Sequence, residues 1–265
     1  MLGVAERIYS CSSNYNHGMY RPPVAPLRVL PRALRTTLTL ACLVALQAAA
    51  QDSKPAGSGY LAPIIAELEK TWPANRVVNV VVHGHSVPAG YFKTPEVRSL
   101  EAYPHLLRVE LARRYPRAVV NVIVTAKGGE DSVKGAARFE TDVLDHRPDV
   151  VLIDYSLNDR RIGLDAARGA WTEMVRKALA HGVKVILLTP TPDMSARFGD
   201  PADPLELHAE QVRRVAAEFQ VGLVDSTAAF HRATDAAGLK EWMAQVNHPN
   251  AAGHKLVAEE IFKYF

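Results

Sequence analysis

The sequence predicts an α/β protein in which five parallel strands form one sheet with helices on both faces. Two observations between residues 60 and 265 lead to this prediction. Five short runs rich in Val, Ile and Leu are almost continuously apolar, which is typical of parallel strands that are buried on each side. Amphipathic helical patterns separate these runs, and strands that alternate with helices favour a parallel sheet.

The predicted strands and helices alternate along the chain. We expect strands at 76–82, 118–124, 149–155, 183–188 and 221–225. Helical periodicity covers 102–115, 132–146, 165–181, 204–219 and 250–264. Asn250 stands where the last helix begins and is predicted to cap it. Because we find no repeat and no second set of elements, residues 60–265 are predicted to form a single-domain, doubly wound, flavodoxin-like fold.

The first 50 residues have the pattern of an export signal. Three arginines precede an apolar run that is too short to cross a bilayer and ends in Ala48, Ala49 and Ala50. We therefore predict a signal peptide at residues 1–50 that is cleaved before Gln51. An uncleaved membrane anchor is the alternative interpretation.

The predicted signal has consequences for the start, the location and the redox chemistry of the protein. Residues 1–18 are not needed for such a signal, so Met19 is the expected start of translation. Residues 51–59 are predicted to be a flexible linker. A cleaved signal predicts a periplasmic or extracellular protein without stable membrane insertion. Cys11 and Cys42 both lie in the predicted signal, so the mature chain suits an oxidising compartment without disulfides.

The charge distribution argues against a nucleic-acid partner. The formal net charge is +3, but residues 1–50 hold five arginines and one glutamate, a net of +4, so the remainder carries −1. Binding to nucleic acid depends on a basic patch that neutralises phosphates. The remainder of the chain has no basic run, and we expect no nucleic-acid partner.

The loop after the first predicted strand carries a candidate nucleophile, Ser86, in the sequence HGHSVPAG. Ligands of doubly wound sheets bind outside the carboxyl ends of the strands, so loops in this position are the places to look for chemistry. A serine hydroxyl is a weak nucleophile unless a base removes its proton. Pro88 stands where the nucleophile elbow G-x-S-x-G requires glycine, so the motif is not that elbow.

The next two strand-ending loops offer hydrogen-bond donors. In TAKGGEDS, Gly128 and Gly129 allow a backbone N–H to approach a developing oxyanion. In YSLNDRR, the Asn158 amide is a second donor of this kind. Taken alone, each motif is equally typical of an ordinary turn.

A candidate general base precedes the last predicted helix, in QVNHPNAAGH. Histidine titrates near neutral pH and is the usual base for a serine nucleophile. Pro249 restricts the backbone directly after His248 and would hold its imidazole in a defined direction. The predicted fold places this turn beside the loop of Ser86.

Together, these four segments resemble the SGNH, or GDSL-type, hydrolases, a family of esterases, lipases and carbohydrate deacetylases. The resemblance covers roughly residues 75–265 and implies Ser86 as nucleophile and His248 as base. It also implies an oxyanion hole made of the backbone N–H groups of Ser86 and Gly129 and the Asn158 side chain. No metal and no organic cofactor is implied.

Three positions depart from the family pattern. His85 replaces the usual Asp before the serine, and Ser156 replaces the usual Gly before the asparagine. Gln245 stands three residues before the histidine, where the family has an Asp that orients the imidazole and stabilises its charged form. The site would then be a Ser86–His248 dyad, oriented by Gln245 or by a backbone carbonyl.

The absence of an acid at position 245 leaves several alternatives open. Glu130 or Asp159 is a candidate replacement carboxylate, and a weak or inactive enzyme is a further alternative. The chain would then be a carbohydrate- or ligand-binding protein that keeps the SGNH fold. A zinc site is another alternative, for which the histidines at 83, 85, 248 and 254 are the candidates.

The predicted function is a secreted serine esterase that acts on small or sugar-linked esters. An acyltransferase would use the same residues, and the sequence leaves open the acyl chain, the alcohol and the oligomeric state. The Pro-rich segment 189–208 is expected either to line the substrate pocket or to be a plain surface loop. Tyr91, Phe92 and Arg160 are expected either near the site or in a purely structural role.

Overall fold

The computed structural model describes residues 54–57, 59–234 and 238–265. The predicted signal peptide, and residues 51–53 and 58 of the predicted linker, lie outside this part of the chain. Within it, no helix is both long enough and apolar enough to cross a membrane.

Five parallel strands form the central sheet. They are β1 (Val77–Gly84), β2 (Val119–Val124), β3 (Val150–Asp154), β4 (Lys184–Leu188) and β5 (Gly222–Val224). Their order across the sheet is β2–β1–β3–β4–β5. This order confirms the predicted doubly wound, flavodoxin-like α/β fold.

The strand order reverses between β1 and β3, and this reversal determines where a ligand site is expected. The chain passes from β1 to β2 on one side and then crosses to β3 on the other side of β1. In the shared register Val80 lies opposite Val150, and the last pair is Gly84 with Asp154. The loops that follow β1 and β3 therefore leave the sheet side by side, at the switch point where ligands of such folds bind.

Helices cover both faces of the sheet. They are α1 (Ala62–Leu68), α2 (Ser86–Ala89), α3 (Tyr103–Arg114), α4 (Ser132–Ala137), α5 (Phe139–Asp142), α6 (Ser156–Asp159), α7 (Leu164–Ala180), α8 (Pro204–Glu218), α9 (Ser226–Ala233) and α10 (Ala251–Phe262). Two 3₁₀ turns, at Leu144–His146 and Leu239–Glu241, and a short antiparallel pair, β6 (Met243–Gln245) and β7 (His248–Pro249), complete the described elements.

Alternate side chains of the strands enter two apolar cores. Val80 and Val82 pack on one face with residues of α3 and α10. Val81 and Val151 pack on the other face with residues of α7 and α8. All four valines are fully buried, which explains why the strands are apolar along their whole length.

Two local features compare directly with the sequence. Asn250 caps α10 as predicted, because its side-chain oxygen accepts a hydrogen bond from the Gly253 N–H at 3.1 Å. The single helix predicted at 132–146 is instead divided into α4, α5 and a 3₁₀ turn. The helix breaks at Arg138, whose ψ of 10° departs from helical values and whose side chain turns inward to Glu130.

Candidate active site

Gly84, the last residue of β1, stands two positions before Ser86 at a point where there is no room for a side chain. A Cβ atom at Gly84 would lie 2.5 Å from the carbonyl oxygen of Asp154 and 2.7 Å from Cγ of Pro88. His85 caps the short helix α2, and its Nδ1 accepts a hydrogen bond from the Val87 N–H at 3.2 Å. Ser86 is thereby held at the carboxyl edge of the sheet and is largely buried.

The structure brings Ser86 and His248 together. The Nε2 atom of His248 lies 2.9 Å from Oγ of Ser86, although the two residues are 162 positions apart. His248 lies on β7, which pairs with β6, and it is buried. The distance is within the range in which a base can remove the proton of a nucleophile.

Burial favours the neutral imidazole of His248, the form that can accept a proton. Removal from water lowers its pKa below the ordinary value of 6.5, the Phe92 backbone carbonyl acts in the opposite direction, and His85 lowers it again. A lowered pKa means that the ring is neutral at neutral pH, so that it can accept a proton. Tyr91 lies beside the ring, with 5.9 Å between the ring centroids.

Gln245 and His248 are cross-strand partners in β6 and β7, but no hydrogen bond joins the Gln245 side chain to the His248 ring. The Gln245 side-chain oxygen accepts a hydrogen bond from the Thr94 N–H at 2.8 Å, and its amide faces Thr94 and Asn247. Among the described residues, Nδ1 of His248 has no hydrogen-bond partner. In the loop that Gln245 holds, the Phe92 backbone carbonyl raises the pKa of His248.

The two carboxylates proposed as replacement acids are occupied elsewhere. Glu130 binds the Arg138 guanidinium at 2.6 and 2.8 Å. Asp159 accepts hydrogen bonds from the Ser132 N–H at 2.8 Å and from the Trp171 indole at 2.7 Å, and burial raises its pKa. Because both side chains are bound in this way, neither orients His248.

The predicted oxyanion-hole donors come from the loops after β2 and β3. Gly129 has a φ of 77°, a left-handed conformation that suits glycine. In the described part of the chain its N–H is not engaged by another backbone group. Ser86 begins α2, so its N–H has no acceptor within that helix. The Asn158 amide donates one proton to the Glu130 carbonyl at 2.8 Å and retains a second proton.

A cavity of about 470 Å³ opens beside Asn158. Its polar lining comes from Asn158, Arg160, Arg161, Ser195, Asp203 and Asn247. Its volume is in the usual range of small-molecule sites. The Pro-rich segment 189–208 therefore forms part of the wall of this cavity, whose lining includes neither Ser86 nor His248. Whether the segment lines the substrate pocket stays a prediction.

An ion pair fixes that wall. The Arg160 guanidinium donates to a carboxylate oxygen of Asp193 at 2.5 Å, which ties the end of α6 to the Pro-rich segment. Burial raises the pKa of Asp193, but hydrogen bonds from Ser195 and Arg160 outweigh that effect, and the pKa is lowered overall. Asp193 is accordingly charged at neutral pH and holds Arg160 in place.

The histidines considered for zinc do not form a metal site. His83 is bound between the Thr125 hydroxyl at 2.8 Å and the Gly135 carbonyl at 3.1 Å. His254 accepts a hydrogen bond from the Tyr103 N–H at 3.3 Å. Across the residues that the structure describes, no three metal-ligating side chains gather around a common point.

Sequence reasoning missed Asp154, the partner of His85. Nε2 of His85 lies 3.4 Å from one oxygen of Asp154, and the Tyr103 hydroxyl donates to the other at 3.1 Å. Both His85 and Asp154 are buried directly behind Ser86. His85, which replaces the family's usual Asp, therefore lies beside a carboxylate on the neighbouring strand. The sequence signal that could have revealed this carboxylate is the aspartate at the end of the apolar third strand.

A buried serine that is hydrogen-bonded to an imidazole, at the carboxyl edge of a parallel sheet, is the arrangement of a serine hydrolase. The chain belongs to the GDSL-like lipase/acylhydrolase family, whose sequence model matches residues 82–256. It is accordingly a carboxylic-ester hydrolase.

Solved structures with the same fold include esterases. A variant of Axe2, an acetyl xylan esterase from Geobacillus stearothermophilus, is 21% identical, with a TM-score of 0.63 over 71% of this chain and 94% of that chain. Unmodified Axe2 is 22% identical, with a TM-score of 0.60 over 71% and 93% of the two chains. LAE5, an alpha/beta hydrolase enzyme from the metagenome of Lake Arreo, Spain, is 24% identical, with a TM-score of 0.57 over 70% and 93%. The comparison with curated proteins finds no match.

Proposed function

We propose that the protein is an exported serine esterase that cleaves acyl esters of small alcohols or saccharides through an acyl-enzyme on Ser86. The observation that carries this proposal is the 2.9 Å contact between Oγ of Ser86 and Nε2 of His248. Membership of the acylhydrolase family indicates that the reaction is ester hydrolysis, and the contact indicates which two side chains carry it out.

The chemistry proceeds in two steps. Nε2 of His248 takes the Ser86 proton while Oγ attacks the ester carbonyl carbon, and the oxyanion that forms accepts hydrogen bonds from the N–H groups of Ser86 and Gly129 and from the Asn158 amide. The intermediate then collapses, the C–O bond to the alcohol breaks, and His248 returns the proton to the leaving alcohol. Water attacks the acyl-enzyme with His248 again as base, and the acid and free Ser86 are released.

A backbone carbonyl takes the place of the triad acid in this proposal. The Phe92 carbonyl raises the pKa of His248, and Gln245 holds the loop of that carbonyl through the Thr94 N–H. Since Nδ1 of His248 has no hydrogen-bond partner among the described residues, this carbonyl is the acceptor that we propose for the Nδ1 proton during the reaction. A neutral carbonyl stabilises the imidazolium less than a carboxylate would, because it carries no full charge. The site is thus a Ser86–His248 dyad, and we expect a slower turnover than a complete triad gives.

The cavity beside Asn158 suggests the substrate class. Its wall offers hydroxyl, amide and guanidinium groups, which suit an alcohol with several hydroxyls. Structural neighbours are described as an acetylxylan esterase and as an acetyl-xylooligosaccharide esterase. We therefore propose acetylated saccharides as the first substrates to test.

The test is the hydrolysis of p-nitrophenyl acetate and of acetylated xylo-oligosaccharides by the wild type, Ser86→Ala and His248→Ala. Both variants should lose nearly all activity, and a fluorophosphonate probe should label the wild type but not Ser86→Ala. Transfer to added alcohols, measured as new esters, would indicate an acyltransferase. A wild type that binds saccharides, cleaves no ester and takes no label would instead be a binding protein.

The role of Gln245 has its own test. Gln245→Ala should lower kcat because the loop of Phe92 loses its anchor, whereas Thr94→Ala, the matched control, keeps the backbone bond and should stay near wild type. Gln245→Asp should keep or raise kcat, since it restores a carboxylate near the imidazole, and should shift the acid limb of the pH profile to higher pH. If both Gln245 variants match the wild type in rate and in pH profile, Gln245 has no part in orienting His248.

A further inference from the structure

The two loops of the proposed oxyanion hole are linked by an arginine that the mechanism does not yet use. Nη2 of Arg161 donates to the Gly129 carbonyl at 2.8 Å. Nε of the same guanidinium lies 3.4 Å from the Asn158 carbonyl, a longer and weaker contact. One side chain therefore joins the backbone of both residues proposed to stabilise the oxyanion.

The contacts of Arg161 differ from those of two arginines close to it in the sequence. Arg160 pairs with Asp193, and Arg168 pairs with Glu218, each at 2.5 Å. In the part of the chain that the structure describes, Arg161 has no carboxylate within ion-pair distance, and its donors are directed to two carbonyl groups. A guanidinium presents several donors in a planar fork, so one side chain can hold two backbone segments in a fixed relation.

Gly129 needs such an anchor because packing does not hold it. Space around its Cα is open, since a Cβ atom there would meet nothing within 4 Å, whereas one at Gly128 would meet the Tyr91 ring at 2.9 Å. Glycine in an open left-handed turn has several accessible backbone conformations. The bond to its carbonyl restricts the peptide that joins Gly129 to Glu130, whose N–H also lies 3.4 Å from the Lys127 carbonyl. The Gly129 N–H belongs to the preceding peptide, so Arg161 limits its direction through the backbone angles of Gly129 itself.

We propose that Arg161 is a positioning residue that preorganises the oxyanion hole by tying Gly129 to Asn158. This inference rests on the proposed serine esterase function. Donors contribute to catalysis when they are already directed at the point where charge develops, and small displacements reduce the rate strongly. Arg161 also lines the cavity proposed for the saccharide, so the test uses an ester without a sugar. For such an ester Arg161 acts through Gly129 and Asn158, and its loss should change the chemical step rather than the binding of substrate.

The experiment compares Arg161→Met, Arg161→Lys and the matched control Arg168→Met with the wild type, using p-nitrophenyl acetate. Arg161→Met keeps an unbranched side chain but removes all donors, and we expect kcat to fall about 10–100-fold, less than the full loss of a donor, with KM changed less than about 2-fold. Arg161→Lys should recover part of kcat, because lysine retains one donor group. Arg168→Met lies away from the cavity and should match the wild type.

A second readout reports on the oxyanion hole itself. The phosphoryl oxygen of a fluorophosphonate should occupy the oxyanion hole as Ser86 is labelled, so the labelling rate should fall in Arg161→Met in about the same ratio as kcat. A role in overall stability would lower the melting temperature, and a role in substrate contact would raise KM instead. Either result without the parallel fall in kcat and labelling rate overturns the inference.

The failure of this inference is distinguishable from failure of the proposed function. If the wild type hydrolyses the ester through Ser86 and Arg161→Met keeps the wild-type kcat and labelling rate, only the role of Arg161 is wrong. If the wild type shows no Ser86-dependent hydrolysis, the proposed function fails, and the positioning role fails with it.

Discussion

Replacement of Asn158 by alanine separates a catalytic role from a structural one. Its side-chain amide donates to the Glu130 carbonyl at 2.8 Å and keeps a second proton that is available to an oxyanion. Asn158→Ala removes both donors at once. The loss of the first donor should affect folding, and the loss of the second should affect the chemical step.

The two effects differ in magnitude. The loss of one oxyanion donor lowers kcat by about 10²–10³, or about 3–4 kcal/mol of transition-state stabilisation. The loss of the hydrogen bond to Glu130 should lower the free energy of unfolding by about 1 kcal/mol. For a domain of this size, 1 kcal/mol corresponds to about 2–4 °C in Tm. We therefore expect a nearly inactive protein with an almost unchanged melting curve.

The assay is kcat for p-nitrophenyl acetate together with a thermal melt followed by circular dichroism. Asn79→Ala is the matched control, because the Asn79 amide donates to the His146 carbonyl at 3.0 Å near the amino end of β1, remote from Ser86. It should lose a similar small amount of stability and keep its kcat. The oxyanion role would be refuted if kcat of Asn158→Ala fell by less than about 10-fold. It would also be refuted if kcat of Asn79→Ala fell as much as that of Asn158→Ala.

The pH profile, the core and the N-terminus each carry a further expectation. Burial lowers the pKa of His248, and the neutral imidazole is the base. The acid limb of the kcat/KM profile should therefore have its midpoint below pH 6.5, and a midpoint above pH 6.5 would contradict this. Gly135→Ala should destabilise the fold by about 1–3 kcal/mol in a denaturant titration, because its Cβ would lie 2.4 Å from the buried Tyr155 ring. The proposed export predicts that N-terminal sequencing of the protein from its producing cells begins at Gln51, and an intact N-terminus would exclude cleavage.

The sheet was predictable because its strands are short, apolar and buried on both faces. The third strand, predicted at 149–155, is Val150–Asp154, and the second, predicted at 118–124, is Val119–Val124. The helical periodicity was less informative about where helices end, because side-chain contacts with distant residues decide this. Arg138 divides the predicted helix at 132–146 because its side chain binds Glu130 and the Tyr155 hydroxyl, contacts that helical periodicity does not reveal.

The site was predictable as far as local motifs describe it. Ser86 belongs to a short motif after the first strand and His248 to one before the last helix, and the fold brings the two together. The group that orients His248 was not predictable from a motif, and the sequence left Gln245 and a backbone carbonyl as alternatives. Gln245 binds Thr94, 151 positions earlier, and a contact at that separation depends on how the loop at 91–97 folds rather than on any motif. A backbone carbonyl such as that of Phe92 leaves no mark in the sequence.

The Pro-rich segment also has a consequence for engineering. The reacting groups belong to α2, β7, α6 and the loop after β2, whereas segment 189–208 after β4 contributes Ser195 and Asp203 to the cavity wall. The segment is also bonded to the site: Asp193 pairs with Arg160 at the end of α6, and the Met194 N–H donates at 2.8 Å to the carbonyl of Val246, two residues before His248. A loop grafted from a related enzyme must therefore keep these two contacts, and a library at Ser195 and Ala196 that retains them tests whether this wall sets the preference for the alcohol.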